Sequence, residues 1–321
     1  MGIKSANKFL LDNCSKKAIH KALFSQFAGK TIAIDTMIFI YKYESENSLI
    51  ENMYLLISIL RHYNITPVFI FDGKPPVEKK ELLYKRRVKK EEAEQKYNTL
   101  CEKKGQLDET SDEYTLLESE MESLKKQFVR VNDTHIQIVK DLMNAYGIDY
   151  MIAEGEADVL CAQLVLSGKA WACLSDDMDL FVYGCPRVIR QVSLLNHTCM
   201  FYDMEFVLKD LEMTIDIFRQ IMVLSGSDYN VCENTNLHET IQWYYKYQKY
   251  MIQNEANPGL TFYDWLFENS DYVENKEMLV TAYNMFILND VNNFNNMDFK
   301  LRPINKVELQ KILEKDGFLN V

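Results

Sequence analysis

Three features of the sequence predict an α/β fold with a mostly parallel central sheet. Short apolar runs alternate with stretches of helical spacing over the first two thirds of the chain. One charge-dense stretch without Gly or Pro, entered near residue 77, interrupts that alternation. After Asp228 only helical patterns remain.

Taken in order, KTIAID (30–35) reads as a short buried strand and LIENMYLLISILRHY (49–63) has helical spacing. TPVFIFD (66–72) is a second apolar strand, with Pro67 tolerable near its start. VEKKELLYKRRVKKEEAEQKYNTL predicts a charged helix, and a second covers about 110–128. With few apolar residues to bury, this pair is expected to project from the body. GIDYMIA (147–153) and AWACLS (170–175) are the third and fourth strands, separated by a helix over 156–167. RVIRQV (187–192) and TCMFYD (198–203) add further strands, followed by helices at 214–224, 237–253, 275–288 and 306–315. The Asn-rich NDVNNFNN (289–296) reads as a loop.

A chain of 321 residues accommodates one large domain or two modest ones, and the expected division is 1–228 and 229–321. No apolar run approaches the roughly 18–20 residues that span a bilayer, so no membrane partner is expected. MGIKSANKFL is too short and polar for a signal peptide, and Ala6 stands where myristoylation needs Ser or Thr. The seven cysteines are odd in number and form no CxxC pair, which argues for a reducing compartment and against a zinc or disulfide framework. Lys plus Arg number 36 against 47 Asp plus Glu, a net charge of −11. That average disfavours nucleic acid, so any phosphate contacts must come from locally clustered basic groups.

The acids are distributed tellingly. TIAID ends in Asp35, VFIFD in Asp72, YMIA runs into Glu154 and Glu156, and WACLS into Asp177 and Asp179. GSDY adds Asp228 after a helix. Any one of these has an ordinary explanation, since carboxylates favour helix N-termini and solvated rims. Asp158 and Asp176 are assigned to such helix and loop electrostatics. In a parallel sheet, however, strand C-termini share one edge, where ligands bind. Acids converging there repel one another unless a cation lies among them. Without accompanying His or Cys the fitting ion is hard and oxygen-seeking, Mg²⁺ or Mn²⁺. Seven carboxylates exceed the needs of one ion, and paired ions roughly 4 Å apart serve phosphodiester hydrolysis. An aspartyl-phosphate phosphatase is excluded because Met37 stands at the second Asp of its DxD.

These residues lie within MGIKSANKFL, GKTIAIDTMIFIYKY, VFIFDGKPPVEKKELLYKRR, YMIAEGEADVLCAQLVLSGKAWACLSDDMDLFVYG and LSGSDY, in that order over residues 1–229. Together they resemble the flap endonuclease branch of the structure-specific 5′ nuclease superfamily. The resemblance implies a PIN-like, mostly parallel sheet flanked by helices, a helical arch over 77–132 that passes a single-stranded 5′ flap, and a C-terminal helical region. It implies two Mg²⁺ ions, replaceable by Mn²⁺. One would be held by Asp35, Asp72, Glu154 and Glu156, and the other by Glu156, Asp177, Asp179 and Asp228. Cleavage of branched or nicked DNA would leave a 5′ phosphate and a 3′ hydroxyl. Lys79 and Arg86 match the family's basic pair at the arch base. They lie two helical turns apart, and Lys90 continues that face. Tyr41 matches an aromatic that stacks on a base beside the cleaved bond, and Gly2 would be the N-terminus near the site once Met1 is removed. A monomer is expected, working in the nucleus or at a cytoplasmic replication site.

The sequence departs from the family in two places. Thr235 and Leu237 occupy the Gly-x-Gly turn of a helix-hairpin-helix that grips duplex phosphates and a K⁺ ion. Side chains there are expected to obstruct the backbone's approach, although Asn234 and Asn236 could adopt left-handed conformations. QKILEKDGFLNV lacks the paired aromatics of a sliding-clamp peptide. A divergent, reduced member of the kind some large DNA viruses encode suits the Asn-rich, Gly-poor composition. Two rivals stand: a 5′→3′ exonuclease on duplex ends, nicks or RNA, and a catalytically idle nucleic-acid-binding scaffold.

Overall fold

The computed structural model describes the chain except residues 1–2, 4, 106–110, 230–233, 254–258, 289–293, 295–296, 316 and 318–321. Its strands are β1 (Ile19–Leu23), β2 (Thr31–Asp35), β3 (Thr66–Phe71), β4 (Tyr150–Ile152), β5 (Ala172–Leu174), β6 (Arg187–Ser193) and β7 (Thr198–Asp203). They form one sheet in the order β1-β7-β6-β5-β2-β3-β4. β6, β5, β2, β3 and β4 run parallel, and β7 is antiparallel to both β6 and β1. The chain leaves β2 toward β3 on one side, while β5 returns on the other. The topological switch point therefore lies where β2 and β5 end side by side.

Six strands match the apolar runs of the sequence, β4 and β5 being shorter than those runs. β1 was not among the expected strands. IHKAL buries Ile19 and Ala22 but exposes Lys21 and Leu23, because it pairs only at the sheet edge. Alternating side chains give the central strands two buried faces. Ala33, Val68, Ile70 and Cys173 pack with the helix Ala157–Leu166 and with Phe218, Leu237, Phe262 and Phe286. Ile32, Ile34, Phe69 and Leu174 pack with the helices Leu49–His62, Asp133–Ala145 and Lys306–Lys315. The region beyond residue 228 thus contributes to the apolar clusters on both faces.

The charged insertion forms two helices, Lys80–Lys104 and Asp112–Lys125, entered through a 3₁₀ turn Val77–Lys79. Within the two helices only Ala93, Met121 and Leu124 are buried. Lys104 pairs with Glu118 at 2.9 Å, and the rings of Tyr97 and Phe128 meet at 5.4 Å. No described helix is long and apolar enough to cross a membrane.

Candidate active site

The sheet brings Asp35, Asp72, Asp177 and Asp179 to one edge. Asp35 ends β2 and pairs in register with Ile70, so Asp72 follows two residues further along the neighbouring strand. β4 stops at Ile152, and its continuation is held against β3 by Gly73 N–H to Gly155 O at 2.7 Å and Lys74 N–H to Glu154 O at 3.1 Å. A Cβ on Gly73 would lie 2.0 Å from Ala153 O, so only glycine allows this approach. Asp72 then caps the next helix by accepting from Ala157 N–H at 2.8 Å. Beyond β5, Ser175 donates to Asp35 Oδ2 at 3.0 Å and accepts from Asp177 N–H at 3.1 Å, joining two strand ends at the switch point. Asp177 Oδ1 accepts from Asp179 N–H at 3.1 Å.

The electrostatic cost is visible in the acids themselves. Burial, reinforced by the charges of Asp72 and Asp177 and eased by Ser175, pushes the Asp35 carboxyl up to about 7. Asp72 stands nearer solvent, yet partial loss of water raises it too. The Ala157 N–H and Lys79 oppose that rise, and Glu156 adds to it. Asp179 is fully buried, and among the described residues neither of its carboxylate oxygens has a hydrogen-bond partner. Burial first, then Asp177 and Asp228, hold it well above the usual carboxylate range.

The arch base delivers cations to this edge. Lys79, only 5% exposed, places Nζ 2.6 Å from Glu156 Oε1, 3.6 Å from Asp228 Oδ2 and 4.6 Å from the centre of the Tyr229 ring. Burial works to lower its pKa, but Asp158 and Glu156 outweigh it and raise the ammonium above the ordinary lysine value. Arg86 reaches Asp228 at 2.7 Å, and the Tyr229 hydroxyl donates to Glu156 Oε2. Lys79 and Arg86 therefore do share a face and a target. Lys90 turns elsewhere: Nζ lies 4.9 Å from the Tyr41 ring and donates to Val129 O at 3.0 Å. Tyr41 is 39% exposed. Glu154 is exposed and meets the neighbouring strand end only through its carbonyl, which accepts from Lys74 N–H, and Gly2 falls outside the described residues.

The donor set is all oxygen and suits a hard divalent cation, and the two unpartnered oxygens of Asp179 are the strongest local sign of that fit. Among the described residues no three carboxylates lie in a ready-made metal-holding group. Lys79 and Arg86 sit among them and neutralise part of the charge.

Asp158 requires a correction. It does serve the helix start, its Oδ1 accepting from Val159 N–H at 2.7 Å. Yet it is also 8% exposed and lies within the field of Glu156, Lys79, Asp177 and Asp35. The helix begins at the acid edge itself, so one side chain meets both descriptions. Asp176 keeps its loop role, accepting from Gln191 N–H at 2.8 Å. Gly73, Ser175 and Tyr229 were also unforeseen as site residues. Each lies inside one of the quoted stretches, and only the fold shows what it touches.

The hairpin turn differs from expectation as well. Thr235 and Leu237 are 7% and 5% exposed, so both side chains turn into the protein. Thr235 donates to Leu224 O at 2.7 Å. Asn236 is not left-handed. Asn236 caps the following helix by accepting from Glu239 N–H at 3.0 Å. Its backbone N–H donates to the Tyr272 hydroxyl at 3.2 Å, and its carbonyl accepts from that hydroxyl at 3.3 Å. Residues 230–233 of the turn are outside those described. The Asn-rich loop at 289–296, apart from Phe294, is outside them too.

Comparison with known proteins agrees with this fold. Residues 1–93 match the XPG N-terminal domain and 147–228 the XPG I-region, together more than half the chain. The flap endonuclease 1 of Methanococcus aeolicus is 30% identical over 239 residues, 68% of each chain. Flap endonuclease 1-A of Sorghum bicolor is 33% identical over 248 residues, 71% of this chain and 62% of that one. The chain thus spans about three fifths of the plant relatives it matches. Among solved structures, the catalytic core of Rad2 in complex with DNA substrate superposes with a TM-score of 0.68 at 20% identity, covering 98% of this chain and 95% of that one. Flap endonuclease-1 from Methanococcus jannaschii gives 0.63 at 21%, covering 99% and 94%.

Proposed function

The chain belongs to the flap endonuclease branch of the structure-specific 5′ nucleases, and from that premise we propose that it hydrolyses DNA phosphodiester bonds at 5′ flaps and nicks. The observation that carries the reading is the meeting of Asp35, Asp72, Glu156, Asp177, Asp179 and Asp228 around Lys79, under the base of the arch. In this reading Asp35, Asp72, Glu154 and Glu156 hold one Mg²⁺, and Glu156, Asp177, Asp179 and Asp228 a second. When bound, such ions supply the positive charge that readies water for attack and stabilises the leaving oxygen.

The chain's own groups do the rest. Lys79 and Arg86 present two positive charges at the acid edge, where a phosphodiester gains charge in the transition state. Tyr41 offers an exposed ring for a base next to the cleaved bond, and such stacking is worth roughly 1–3 kcal/mol. Lys90, beside that ring, adds a phosphate contact. Ser175 holds Asp35 and Asp177 in place, and Asp158 adds negative charge to the field around Lys79.

A second reading, a 5′→3′ exonuclease with weak flap preference, is favoured by one observation. Both backbone polar groups of Asn236 are engaged by Tyr272, inside the turn that would otherwise meet duplex phosphates. The two readings separate on labelled 5′-flap, nicked, gapped and single-stranded substrates, with Mg²⁺ or EDTA, alongside Asp177→Ala. Scission at the flap junction supports the first, and stepwise release of 5′ nucleotides the second. DNA binding without any metal-dependent cleavage defeats both in favour of an idle scaffold.

A further inference from the structure

We propose that Arg190 is a positioning residue that fixes Asp177 and Asp179 through the residues on either side of Asp177, by the Asp176 carbonyl and the Met178 thioether. The inference rests on reading the acid edge as a divalent-metal nuclease site. Arg190 lies on β6, immediately beyond the Leu174–Ile189 pair of the parallel register, and is 7% exposed. One guanidinium nitrogen donates to Asp176 O at 2.7 Å. Another donates to Asn7 Oδ1 at 2.7 Å and touches Met178 Sδ. The residues before and after Asp177 are thus both held by one side chain.

The backbone is shaped for this. The β6–β7 register slips between Arg190 and Ser193, and Gln191 takes φ 50°, a bulge of the kind that re-aims a side chain. The bulge turns Gln191 N–H onto Asp176 Oδ1 at 2.8 Å, so Asp176 is gripped at carbonyl and carboxylate together. At the far end Asn7 also accepts from the Tyr202 hydroxyl at 2.7 Å, which ties the clamp to the N-terminal helix Ala6–Asn13.

Among the described residues Arg190 has no carboxylate within 4.0 Å, so ion pairing does not explain its burial. What it supplies is a planar fork reaching several acceptors at once, which a lysine ammonium cannot reproduce.

The test compares Arg190→Lys, Arg190→Met and Asn7→Ala with the wild-type chain. Mn²⁺ binding is read without DNA by loss of the free-ion electron paramagnetic resonance signal, and kcat and KM are measured on a 5′-flap substrate. Groups that orient metal ligands typically change affinity by about 10–100-fold, so both Arg190 variants should weaken Mn²⁺ binding alike by about tenfold or more. They should also lower kcat with KM for DNA little changed. Asn7→Ala, which frees only the far end of the clamp, should show a smaller loss in the same direction. Arg190→Lys binding Mn²⁺ as tightly as wild type would overturn the proposal, because charge without the fork would then suffice. Lower melting temperatures with unchanged Mn²⁺ affinity would overturn it as well. If neither Arg190 variant folds, Asn7→Ala decides, and unaltered Mn²⁺ affinity in it refutes the clamp. A wild-type chain that binds Mn²⁺ but cuts no DNA refutes the nuclease reading and leaves the Mn²⁺ comparison to judge Arg190.

Discussion

The sheet edge at Asp35, Asp177 and Asp179 gathers charge of one sign away from water, whereas the arch helices spread both signs through it. In the arch, Lys85 pairs with Glu81 at 3.0 Å and Arg87 with Glu91 at 2.8 Å, one helical turn apart and exposed. Pairs of this kind contribute about 0–1 kcal/mol and tolerate exchange. At the sheet edge, the shut-in Asp179 carboxylate has no hydrogen-bond partner among the described residues, and Asp35 is driven up to about 7. One region arranges charge at little cost, and the other holds it against strong opposition. The contrast locates function: an unfavourable arrangement persists where something other than folding requires it.

The largest expected effect therefore comes from relieving the opposition. Asp179→Asn should slow cleavage by well over the roughly hundredfold typical of groups that merely orient metal ligands. In EDTA at pH 8 the same variant should melt higher than wild type, since a buried carboxylate has been made neutral. A lower melting temperature would break the comparison. Next comes Lys79→Ala, which removes the cation linking the two regions. Loss of a charge that stabilises the transition state should lower kcat roughly 100–1000-fold with little change in DNA affinity. Equal losses in both would mean that its helix meets the substrate elsewhere.

A smaller effect follows from Asp35. Its folded pKa, about 7, lies above the ordinary aspartate value of 3.8, so between those limits the native state keeps a proton that the unfolded chain has released. Stability of the metal-free protein should accordingly fall as pH rises through that window. Urea midpoints in EDTA at pH 5 and 7.5 measure the slope, and Asp35→Asn should flatten it. Smallest of all, Arg87→Ala on the arch should leave the melting temperature within experimental scatter of wild type. A larger change would show that the arch is not the permissive surface described.

How much of this was legible in sequence follows from the same contrast. Strand ends were readable because an apolar run broken by a carboxylate is a strong local signal, as at Asp35 and Asp72. The two long helices at 80–104 and 112–125 were readable because their charged composition leaves so little to bury. Asp158 was half-read: the sequence shows a first-turn acid, but only the fold reveals that this turn opens onto Lys79. Ser175 and Tyr229 act across 140 and 73 residues of chain, and no local pattern encodes such partners. At Thr235 and Leu237 the residue types were read correctly and their direction was not, because which way a turn faces is set by the helices flanking it.

The helix Lys80–Lys104 has 25 residues, about 37 Å at 1.5 Å per residue, and its first two turns rest on Asp228 and Glu156 through Arg86 and the adjoining Lys79. It is a lever with a short arm in the acids and a long arm in solvent. By simple trigonometry on that length, a tilt of about 5° sweeps the far tip through about 3 Å while barely shifting the base. Whatever leans on the tip near Lys104 and Glu118 thereby acts, at reduced amplitude and greater force, on the contacts that Lys79 and Arg86 make below.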